Sequence, residues 1–454
     1  MHLHILGIGG TFMAGVARLA VELGHRVTGA DTNLYPPMST QLAALDVQVF
    51  EGYDPHALDP TPDMVIVGNA LSRGNACVEY ILSHNLAYTS GPAWLYAEVL
   101  RHRHVIAVAG THGKTTVSSL VAWMLEHAGL EPGFLVGGVV ENFGVSARLG
   151  GARLFVVEAD EYDTAFFDKR SKFVHYAPRT LVINNLEFDH ADIFPDLAAI
   201  QRQFHHLLRT LPREALLVRP APDAAIDQLL AMGLWSRVAR FGSAAECEWR
   251  YAWQTAAGDN FSVTAADGVE TAGMSPLLGA HNAHNVAAAL AAVADVGLSP
   301  ARALAALPEF ANVKRRMELR GTVAGVRVFD DFAHHPTAIA ATIAALRPGV
   351  TSPARLIAVS EMRSNTMRMG VHQNTLATAF AGADETFILA PADLSWDIDA
   401  ALRALPEHRV FTDPATLVAH VANTARASDA ILVMSNGAFD NVHERLLSAL
   451  AQRR

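Results

Sequence analysis

Cysteine is nearly absent, since Cys77 and Cys247 are the only two in 454 residues. Two cysteines provide no disulfide framework and match no metal-binding spacing, which fits a reducing compartment. No uninterrupted apolar run approaches the length that spans a bilayer, and the chain runs almost at once into a strand-like stretch at Leu3–Leu6. We therefore expect a cytoplasmic protein with no signal peptide and no contact with a membrane.

Charge is also sparse, with 18% charged residues and a net charge of -10. No basic block occurs, so the sequence offers no nucleic-acid footprint, and no obligate protein partner is evident. Hydrophobic residues make up 51% of the chain and there are 32 glycines, a composition typical of soluble α/β proteins. The length exceeds what one core usually organises, so two or three domains are expected.

The stretch Val105–Thr116 predicts a phosphate-binding loop. A β-branched apolar run ends in a glycine turn, and apolar residues at helical spacing follow from Val117 to His127. In such a strand-loop-helix, backbone N–H groups and the helix N-terminus bind phosphates. Lys114 would reach the outer phosphates, and the hydroxyl of Thr115 would bind a magnesium ion. The loop is shorter than the general pattern, which has glycine in place of Val108, and an ordinary turn is the alternative.

A second glycine turn follows the first strand, at Gly7-Ile-Gly9-Gly10. A helix is predicted from about Met13 to Leu23, and a second strand ends in Asp31. This resembles the dinucleotide fingerprint, although its third glycine falls on Phe12. An NAD-dependent dehydrogenase, a site for another diphosphate and a purely structural turn all fit this pattern.

Acidic residues follow the continuous apolar run Leu154–Val157, which predicts a buried parallel strand. They are Glu158, Asp160, Glu161 and Asp163. So many carboxylates at one strand end repel each other unless a cation lies among them, and magnesium is the natural choice. The next strand, Thr180–Ile183, leads to His190 at an equivalent place. An exposed acidic loop and a structural histidine are the alternatives.

Five segments, in this order and at this spacing, resemble the muropeptide (Mur) ligases over essentially the whole chain. They are Gly110–Thr116, Glu158–Glu161, Asn185–His190, His281–Asn285 and Asp330–Pro336. Mur ligases form amide bonds at the expense of ATP in peptidoglycan synthesis. The glycine pattern at Gly7 and the last segment are similar to the branch that uses UDP-N-acetylmuramate itself, whose members add L-alanine or the tripeptide L-Ala-γ-D-Glu-meso-diaminopimelate.

The tripeptide-adding member is the more similar one, on the segments Tyr35–Thr40, Phe166–His175 and Arg363–Met367. The resemblance implies three α/β domains, each on a mainly parallel sheet. Residues 1–103 would form a Rossmann-like UDP-N-acetylmuramate-binding domain and residues 104–316 a P-loop ATPase-like domain. Residues 317–454 would form a Rossmann-like domain that takes the peptide and closes over ATP.

Site residues carried over from the resemblance fall into four groups. Lys114, Glu158 and His190 would be catalytic, and the metal-binding residues would be Thr115, Glu158 and His190, with His190 at a second metal or at the muramate carboxylate. The ATP-binding residues would be Gly110, Thr111, His112, Gly113, Lys114, Thr115, Thr116, Asn282, Asn285, Arg316, Asp331 and His334. The UDP-sugar would contact Gly7, Gly9, Gly10, Thr11, Phe12, Met13, Asp31, Asn69 and Arg73.

The peptide would be bound by Arg363, Ser364, Asn365 and Arg368, because guanidinium groups pair with its carboxylates. Several relatives carry a carbamylated lysine where this chain has Gln203–His205, so that group is expected to be absent. The family's usual proline beside Glu361 is replaced by Met362.

The reaction implied by the resemblance activates a carboxylate with the γ-phosphate of ATP. The muramate carboxylate would form an acyl phosphate, the peptide amine would add to it, and phosphate would leave. Three alternatives stay open: addition of L-alanine alone, a dehydrogenase using the Gly7 turn, and a nucleotide-gated sensor. Two separate nucleotide-type turns argue against a dehydrogenase, and a sensor has no need of Glu158 together with His190.

Overall fold

Three sheets organise the chain, whose computed structural model describes residues 1–32, 34–255 and 258–453. Each sheet is covered by helices, which confirms the predicted class of three α/β domains. None of the described helices is long and apolar enough to cross a membrane. The domain boundaries after residues 103 and 316 stay predictions.

The first unit is a parallel sheet with helices on both faces, so its strands are apolar on both sides. In chain order its elements are β1 (His2–Leu6), α1 (Thr11–Glu22), β2 (Arg26–Asp31), α2 (Met38–Ala43), β3 (Gln48–Glu51), β4 (Met64–Val67), α3 (Ala76–Ser83), β5 (Tyr88–Ser90) and α4 (Gly91–Leu95). The strand order is β3-β2-β1-β4-β5. The predicted strand and helix around Gly7 are therefore present.

The central unit is built on a mixed sheet of ten strands. Its elements are β6 (His104–Ala109), α5 (Lys114–His127), β7 (Gly133–Val140), β8 (Val145–Arg148), β9 (Leu154–Glu158), β10 (Asp163–Ala165), β11 (Asp168–Ser171), β12 (Thr180–Ile183), α6 (Leu197–Leu208), β13 (Leu216–Pro220), α7 (Ala224–Ala231), β14 (Arg237–Gly242), β15 (Trp249–Trp253), β16 (Asn260–Thr264), β17 (Glu270–Met274), α8 (Ala280–Ala294) and α9 (Pro300–Leu304). The order is β17-β16-β15-β14-β13-β12-β6-β9-β7-β8, with antiparallel pairs at the two ends, and β10 and β11 form a separate hairpin.

The third unit is a six-stranded sheet that is parallel except for its first strand. Its elements are β18 (Glu318–Val323), β19 (Val326–Asp331), α10 (Pro336–Leu346), β20 (Leu356–Glu361), α11 (Asn365–Arg368), α12 (Leu376–Phe380), β21 (Glu385–Leu389), α13 (Ile398–Leu402), β22 (His408–Phe411), α14 (Pro414–Thr424), β23 (Ala430–Met434) and α15 (Val442–Ala451). The strand order is β18-β19-β23-β20-β21-β22.

Helix α1 packs directly on β7 and β8 of the central sheet, and the two units share one hydrophobic core. Gly15 makes this approach possible, because a Cβ there would lie 3.1 Å from Cγ of Leu135 and 3.3 Å from Cβ of Ala147. Gly15 thus serves packing between the first and central units.

The register of the central sheet fixes where its polar loops meet. Strand β6 lies between β12 and β9, with Ala109 opposite Ile183 and Val108 opposite Glu158. All three strands are parallel, so their carboxyl ends open at the same edge. The phosphate loop, the acidic segment and the loop with His190 therefore converge there, as expected for a ligand site in a parallel sheet.

Candidate active site

The phosphate loop needs glycine at two positions for steric reasons. Gly110 and Gly113 have φ of +129° and +78°, which L side chains rarely adopt. A Cβ on Gly113 would lie 2.5 Å from Nδ2 of Asn184, and one on Gly110 would lie 2.8 Å from the carbonyl oxygen of Asn185. Helix α5 begins at Lys114 with no side-chain cap, so its first N–H groups are suited to an anion.

Lys114 lies inside a cage of acceptors at the start of α5. Its Nζ donates to the carbonyl oxygen of Gly110 and to Oε2 of Glu161, both at 2.8 Å, and lies 3.8 Å from Oδ1 of Asp160. Burial by itself would lower the pKa of Lys114, but the carboxylates of Glu161 and Asp160 raise it above its usual value. The side chain is therefore a fixed positive charge beside the loop.

Thr115 and Glu158 lie together, as the predicted magnesium site requires. The Thr115 hydroxyl donates to Oε1 of Glu158 at 3.1 Å, and the backbone N–H of Gly137 donates to Oε2 at 2.6 Å. Burial raises the pKa of Glu158, while Lys114 lowers it. A hydroxyl and a carboxylate at a phosphate loop are hard oxygen ligands of the kind Mg²⁺ prefers, so these residues fit the ion.

His190 is paired with Glu161 rather than with Glu158. Its Nε2 lies 3.1 Å from Oε1 of Glu161, and its ring centroid lies 4.4 Å from that of Tyr162. Burial would lower the pKa of His190, but Glu161 raises it above the ordinary value. The predicted role of His190 at a metal or at the muramate carboxylate stays a prediction.

Glu161 is the acceptor that joins Lys114 to His190, and it was not among the predicted site residues. Only 2% of its surface is exposed. Burial would raise its pKa, but Lys114 and His190 lower it to about 2, so it is a carboxylate. The acidic segment itself was recognisable in the sequence, but not which of its carboxylates turns toward the lysine.

Asn282 and Asn285 are buried behind the phosphate loop. Nδ2 of Asn184 donates to Oδ1 of Asn285 at 2.9 Å and to the carbonyl oxygen of His112 at 3.1 Å. Nδ2 of Asn285 donates to Oδ1 of Asn282 at 3.0 Å. This ladder fixes the loop from helix α8, while the predicted ATP contacts of Asn282 and Asn285 stay predictions. Thr116 is buried within α5.

Thr111 ties the phosphate loop to the loop after β12. Its hydroxyl donates to the carbonyl oxygen of Glu187 at 3.2 Å, and the Glu187 N–H donates back to that hydroxyl at 2.8 Å. The backbone N–H of His112 donates to Oδ1 of Asn185 at 2.7 Å. The two loops thus form one hydrogen-bonded rim.

Arg316 reaches the phosphate loop from the start of the third unit. Its Nη2 lies 3.4 Å from Oγ1 of Thr115, and its guanidinium lies over the ring of Phe332. Asp331 is buried and accepts from the N–H groups of Met317 and Ala333, both at 2.8 Å. Both its carboxylate oxygens therefore hold the local backbone, and the predicted ATP contact of Asp331 stays a prediction.

His334, also from the third unit, faces the central unit. Its Nε2 lies 4.0 Å from Oδ2 of Asp189, and its Nδ1 lies 3.0 Å from the carbonyl oxygen of Phe332. Burial lowers the pKa of His334 to about 4, so the ring is neutral near pH 7. Arg316 and His334 are thus two predicted ATP residues that the fold brings to the rim.

The first-domain turn is closed by Asp31. Oδ2 of Asp31 accepts from the N–H of Gly9 at 2.8 Å, and Gly7 has φ of +78°. Gly10 then precedes α1, whose first residue is Thr11, and offers no side-chain cap to the helix. A turn with this geometry suits a diphosphate as well as a dinucleotide.

The other predicted UDP-sugar residues differ in what they can offer. Phe12 is half-buried, whereas Met13 is buried beneath Gly91, so only the backbone of Met13 could meet a ligand. Asn69 is half-buried just after β4. The Arg73 guanidinium is exposed and donates to Glu79 at 2.9 and 3.1 Å.

Lys172 was not predicted and lies between the first and central units. It is buried, with Nζ 3.3 Å from Oδ2 of Asp160 and 5.6 Å from the ring centroid of Phe12. A lysine inside Phe166–His175 was visible in the sequence, but its burial against the first unit was not.

The predicted peptide residues surround α11. Arg363 and Arg368 have side chains 55% and 46% exposed, and Arg368 pairs with Asp393 at 3.0 Å. Ser364 caps α11, and Nδ2 of Asn365 donates to Oδ2 of Asp192 at 2.9 Å. Asn365, Arg368, Asp192 and Asp393 line a cavity of about 300 Å³.

Three family profiles match successive parts of the chain. The profile described as "Mur ligase family, catalytic domain" matches residues 2–103, "Mur ligase middle domain" matches residues 108–293, and "Mur ligase, glutamate ligase domain" matches residues 315–437. Together they cover the three sheets.

Relatives match over all or most of the length. The chain is 52% identical to the UDP-N-acetylmuramate–L-alanyl-γ-D-glutamyl-meso-2,6-diaminoheptandioate ligase of Escherichia coli K12, over 100% of this chain and 99% of the relative. A solved murein peptide ligase from Psychrobacter arcticus superposes with a TM-score of 0.78 at 45% identity, covering 100% and 99% of the two chains. The UDP-N-acetylmuramate–L-alanine ligase of Paenarthrobacter aurescens is 35% identical over 76% of this chain and 73% of its own length.

Proposed function

The chain belongs to the Mur ligase family, and on this premise we propose how its residues carry out the reaction. It is an ATP-dependent ligase that joins the carboxylate of UDP-N-acetylmuramate to the amine of L-Ala-γ-D-Glu-meso-diaminopimelate, in peptidoglycan recycling. The predicted tripeptide ligase is therefore confirmed. The L-alanine ligases are more distant, at 35% identity or near it.

One observation supports phosphoryl transfer from ATP most directly. At the mouth of the phosphate loop lie four side chains in contact, those of Lys114, Glu161, Glu158 and Thr115. Phosphoryl transfer needs positive charge beside the transferred group and a held metal, and little covalent chemistry from the protein. A cluster of this kind serves carboxylate activation by ATP. It has no role in hydride transfer, so the dehydrogenase is the weaker alternative.

Lys114 holds the γ-phosphate in this scheme, because its charge is maintained by Glu161 and Asp160. Thr115 and Glu158 would hold Mg²⁺, and His190 would lie at a second metal or meet the muramate carboxylate. When bound, the ion neutralises charge on the phosphate oxygens. The carboxylate then attacks phosphorus and ADP leaves. The deprotonated peptide amine adds to the acyl phosphate, phosphate departs, and the new amide nitrogen loses a proton to water.

Binding of the substrates is assigned by unit. The Gly7 turn and the N-terminus of α1 would take the diphosphate of UDP-N-acetylmuramate, with Asp31 fixing the turn. Arg368 lines the cavity between the central and third units, Arg363 is exposed at the start of the same segment, and both would pair with carboxylates of the tripeptide. Because both ATP and a UDP-linked precursor are consumed, we place the reaction in the cytoplasm.

Phosphate release tests this assignment directly. The purified protein receives UDP-N-acetylmuramate, ATP and Mg²⁺, together with either the tripeptide or L-alanine, and the product mass is measured in parallel. We expect phosphate and the UDP-muramoyl tripeptide with the first amine. Turnover with L-alanine and none with the tripeptide would overturn the substrate assignment.

A further inference from the structure

A second cluster of ligating side chains lies beside the phosphate loop, on the side away from Glu158. It consists of His112, Glu187 and His335, whose ligand atoms lie within 4.8 Å of one another. Nε2 of His112 and Nδ1 of His335 each lie 3.6 Å from Oε2 of Glu187. The two imidazole centroids are 4.5 Å apart. Two rings therefore face one carboxylate oxygen from different directions.

Unsatisfied nitrogen atoms mark this cluster. Nε2 of His112 and Nε2 of His335 are buried without a hydrogen-bond partner, and so is Nε2 of His372, whose ring centroid lies 4.4 Å from that of His335. Only 5% of the surface of His335 is exposed. Buried polar atoms in proteins are nearly always paired, so these orphaned imidazole nitrogen atoms point to a missing partner. At His112 the orphaned Nε2 is the atom that faces Glu187, whereas His335 faces Glu187 through Nδ1 and would bind an ion through that atom.

The geometry suits a transition-metal ion. Zn²⁺ binds imidazole nitrogen and carboxylate oxygen at about 2.0–2.2 Å, which places tetrahedral ligands roughly 3.4 Å apart. The two nitrogen-to-oxygen separations here are 3.6 Å. Two nitrogen ligands and one oxygen favour zinc or cobalt over magnesium, which prefers oxygen.

The charge state of the cluster fits the same ion. Burial would raise the pKa of Glu187, but His112 and Thr337 lower it to about 2, so it is a carboxylate. Burial and the neighbouring His112 and His372 lower the pKa of His335 to about 4. Its imidazole is therefore neutral near pH 7, which is the form that binds a metal.

We propose that His112, Glu187 and His335 form a binding site for a single divalent transition ion of the Zn²⁺ type, which links the central and third units. His112 and Glu187 follow β6 and β12 of the central sheet, whereas His335 precedes α10 in the third unit, where its Nδ1 accepts from the N–H of Thr337 at 3.3 Å and would give up this contact to the ion. The ion completes its coordination with water. Because its ligands come from both units, it stabilises them in the observed arrangement.

A direct contact already joins the units at this point, and it supplies the competing explanation. The Thr337 hydroxyl donates to Oε2 of Glu187 at 2.7 Å. If this hydrogen bond alone accounts for the cluster, the histidines are packing residues and bind no ion. Metal binding measured without nucleotide separates the two explanations, and it does not depend on ligase activity.

The experiment titrates Co²⁺ into tag-free, chelator-treated full-length protein, since tetrahedral Co²⁺ with nitrogen ligands absorbs visible light. His335→Asn is the main variant, because asparagine can still cap α10. Glu187→Gln is the second variant and His102→Gln, at an exposed position, the control. His190→Gln tests whether the ion lies at the predicted magnesium site instead.

We expect wild type, His102→Gln and His190→Gln to bind one Co²⁺, displaced by Zn²⁺, with affinities within about threefold. His335→Asn and Glu187→Gln should bind at least tenfold more weakly, a loss typical of altered metal sites. Thermal melting confirms that each variant is folded. Unchanged Co²⁺ affinity in both His335→Asn and Glu187→Gln, with both variants folded, overturns the proposal. A loss of Co²⁺ binding confined to His190→Gln also overturns it, and so does the absence of a visible absorption band in the wild type.

Discussion

The hydroxyl of Thr366 donates a 2.9 Å hydrogen bond to Oδ1 of Asp189, across 177 residues of chain. The backbone N–H of Ala191 donates to the same hydroxyl at 3.2 Å. Helix α11, which carries predicted peptide residues, is thus docked on the loop that carries His190. The third unit and the reaction centre are therefore mechanically connected at this point.

Replacing Thr366 by valine removes this hydroxyl and keeps the shape of the side chain. A buried hydrogen bond contributes about 1 kcal/mol, so we expect docking to weaken and the KM for the tripeptide to rise roughly fivefold. Steady-state kinetics with varied tripeptide measures the effect. Thr416→Val, which removes an exposed contact to Asp413, is the control and should leave KM unchanged. Equal KM values for both variants would show that the contact is incidental.

Replacing Lys114 by methionine removes the fixed charge beside the phosphate loop. Loss of one preorganised charge at a developing anion costs about 10²–10³ in rate, so kcat for phosphate release should fall by that factor. Lys169→Met is the control, because that side chain is 68% exposed and pairs with Asp163. A decrease below tenfold in Lys114→Met would contradict the assigned role.

Glu158→Gln tests the predicted magnesium ligand. We expect the Mg²⁺ concentration for half-maximal turnover to rise at least tenfold, because even changes around a metal site cost that much affinity. Turnover is measured over a Mg²⁺ titration at saturating ATP. Glu141→Gln, which loses only a long surface pair with Lys314, should titrate like wild type. If high Mg²⁺ never restores any activity, Glu158 also has a role beyond ion binding.

Arg363→Ala and Arg368→Ala test the peptide site. A charge-assisted hydrogen bond contributes about 1.5–3 kcal/mol, so each variant should raise the KM for the tripeptide by roughly tenfold or more. The KM values for ATP and UDP-N-acetylmuramate should not change. Arg403→Ala, at an exposed position of the same unit, is the control. An unchanged tripeptide KM in both arginine variants removes them from the site.

Because His4 is buried, we expect the protein to lose stability in acid. It is fully buried in β1 with Nδ1 2.8 Å from Oγ1 of Thr28, and burial lowers its pKa from 6.5 to about 4. The folded state thus favours the neutral ring. The contribution of His4 to the free energy of unfolding is therefore complete above pH 6.5 and is lost as the pH falls toward 4. Between pH 7 and 4.5 the loss should be about 2.5 kcal/mol.

Urea unfolding of the full-length protein, followed at both pH values, measures this dependence. In His4→Asn, which retains a polar partner for Thr28, the difference between the two pH values should shrink. His56→Asn, at an exposed position, should behave like wild type. An identical pH dependence in His4→Asn would show that other groups cause the acid loss.

Local sequence patterns were sufficient to predict the strands and loops that carry the site residues. The strands β1, β6, β9 and β12 and the two glycine turns were predictable, because apolar β-branched runs and glycines act over a few residues. The strands β15, β16 and β17, which pair antiparallel at one end of the sheet, were not predicted, since β17 is the edge strand and both β15 and β17 are partly exposed. Their sequences therefore lack a continuous apolar run.

The sequence by itself determined three local features, namely a phosphate loop, an acidic strand end and a loop that carries a histidine. Each of them is encoded by a short contiguous segment of the chain. Only the tertiary structure decided that Glu161 joins Lys114 to His190, that Asn285 supports the loop from behind, and that His335 meets His112. These pairs depend on strand order and on how the third unit packs. Both arise from contacts between residues far apart in the chain, which no local pattern encodes.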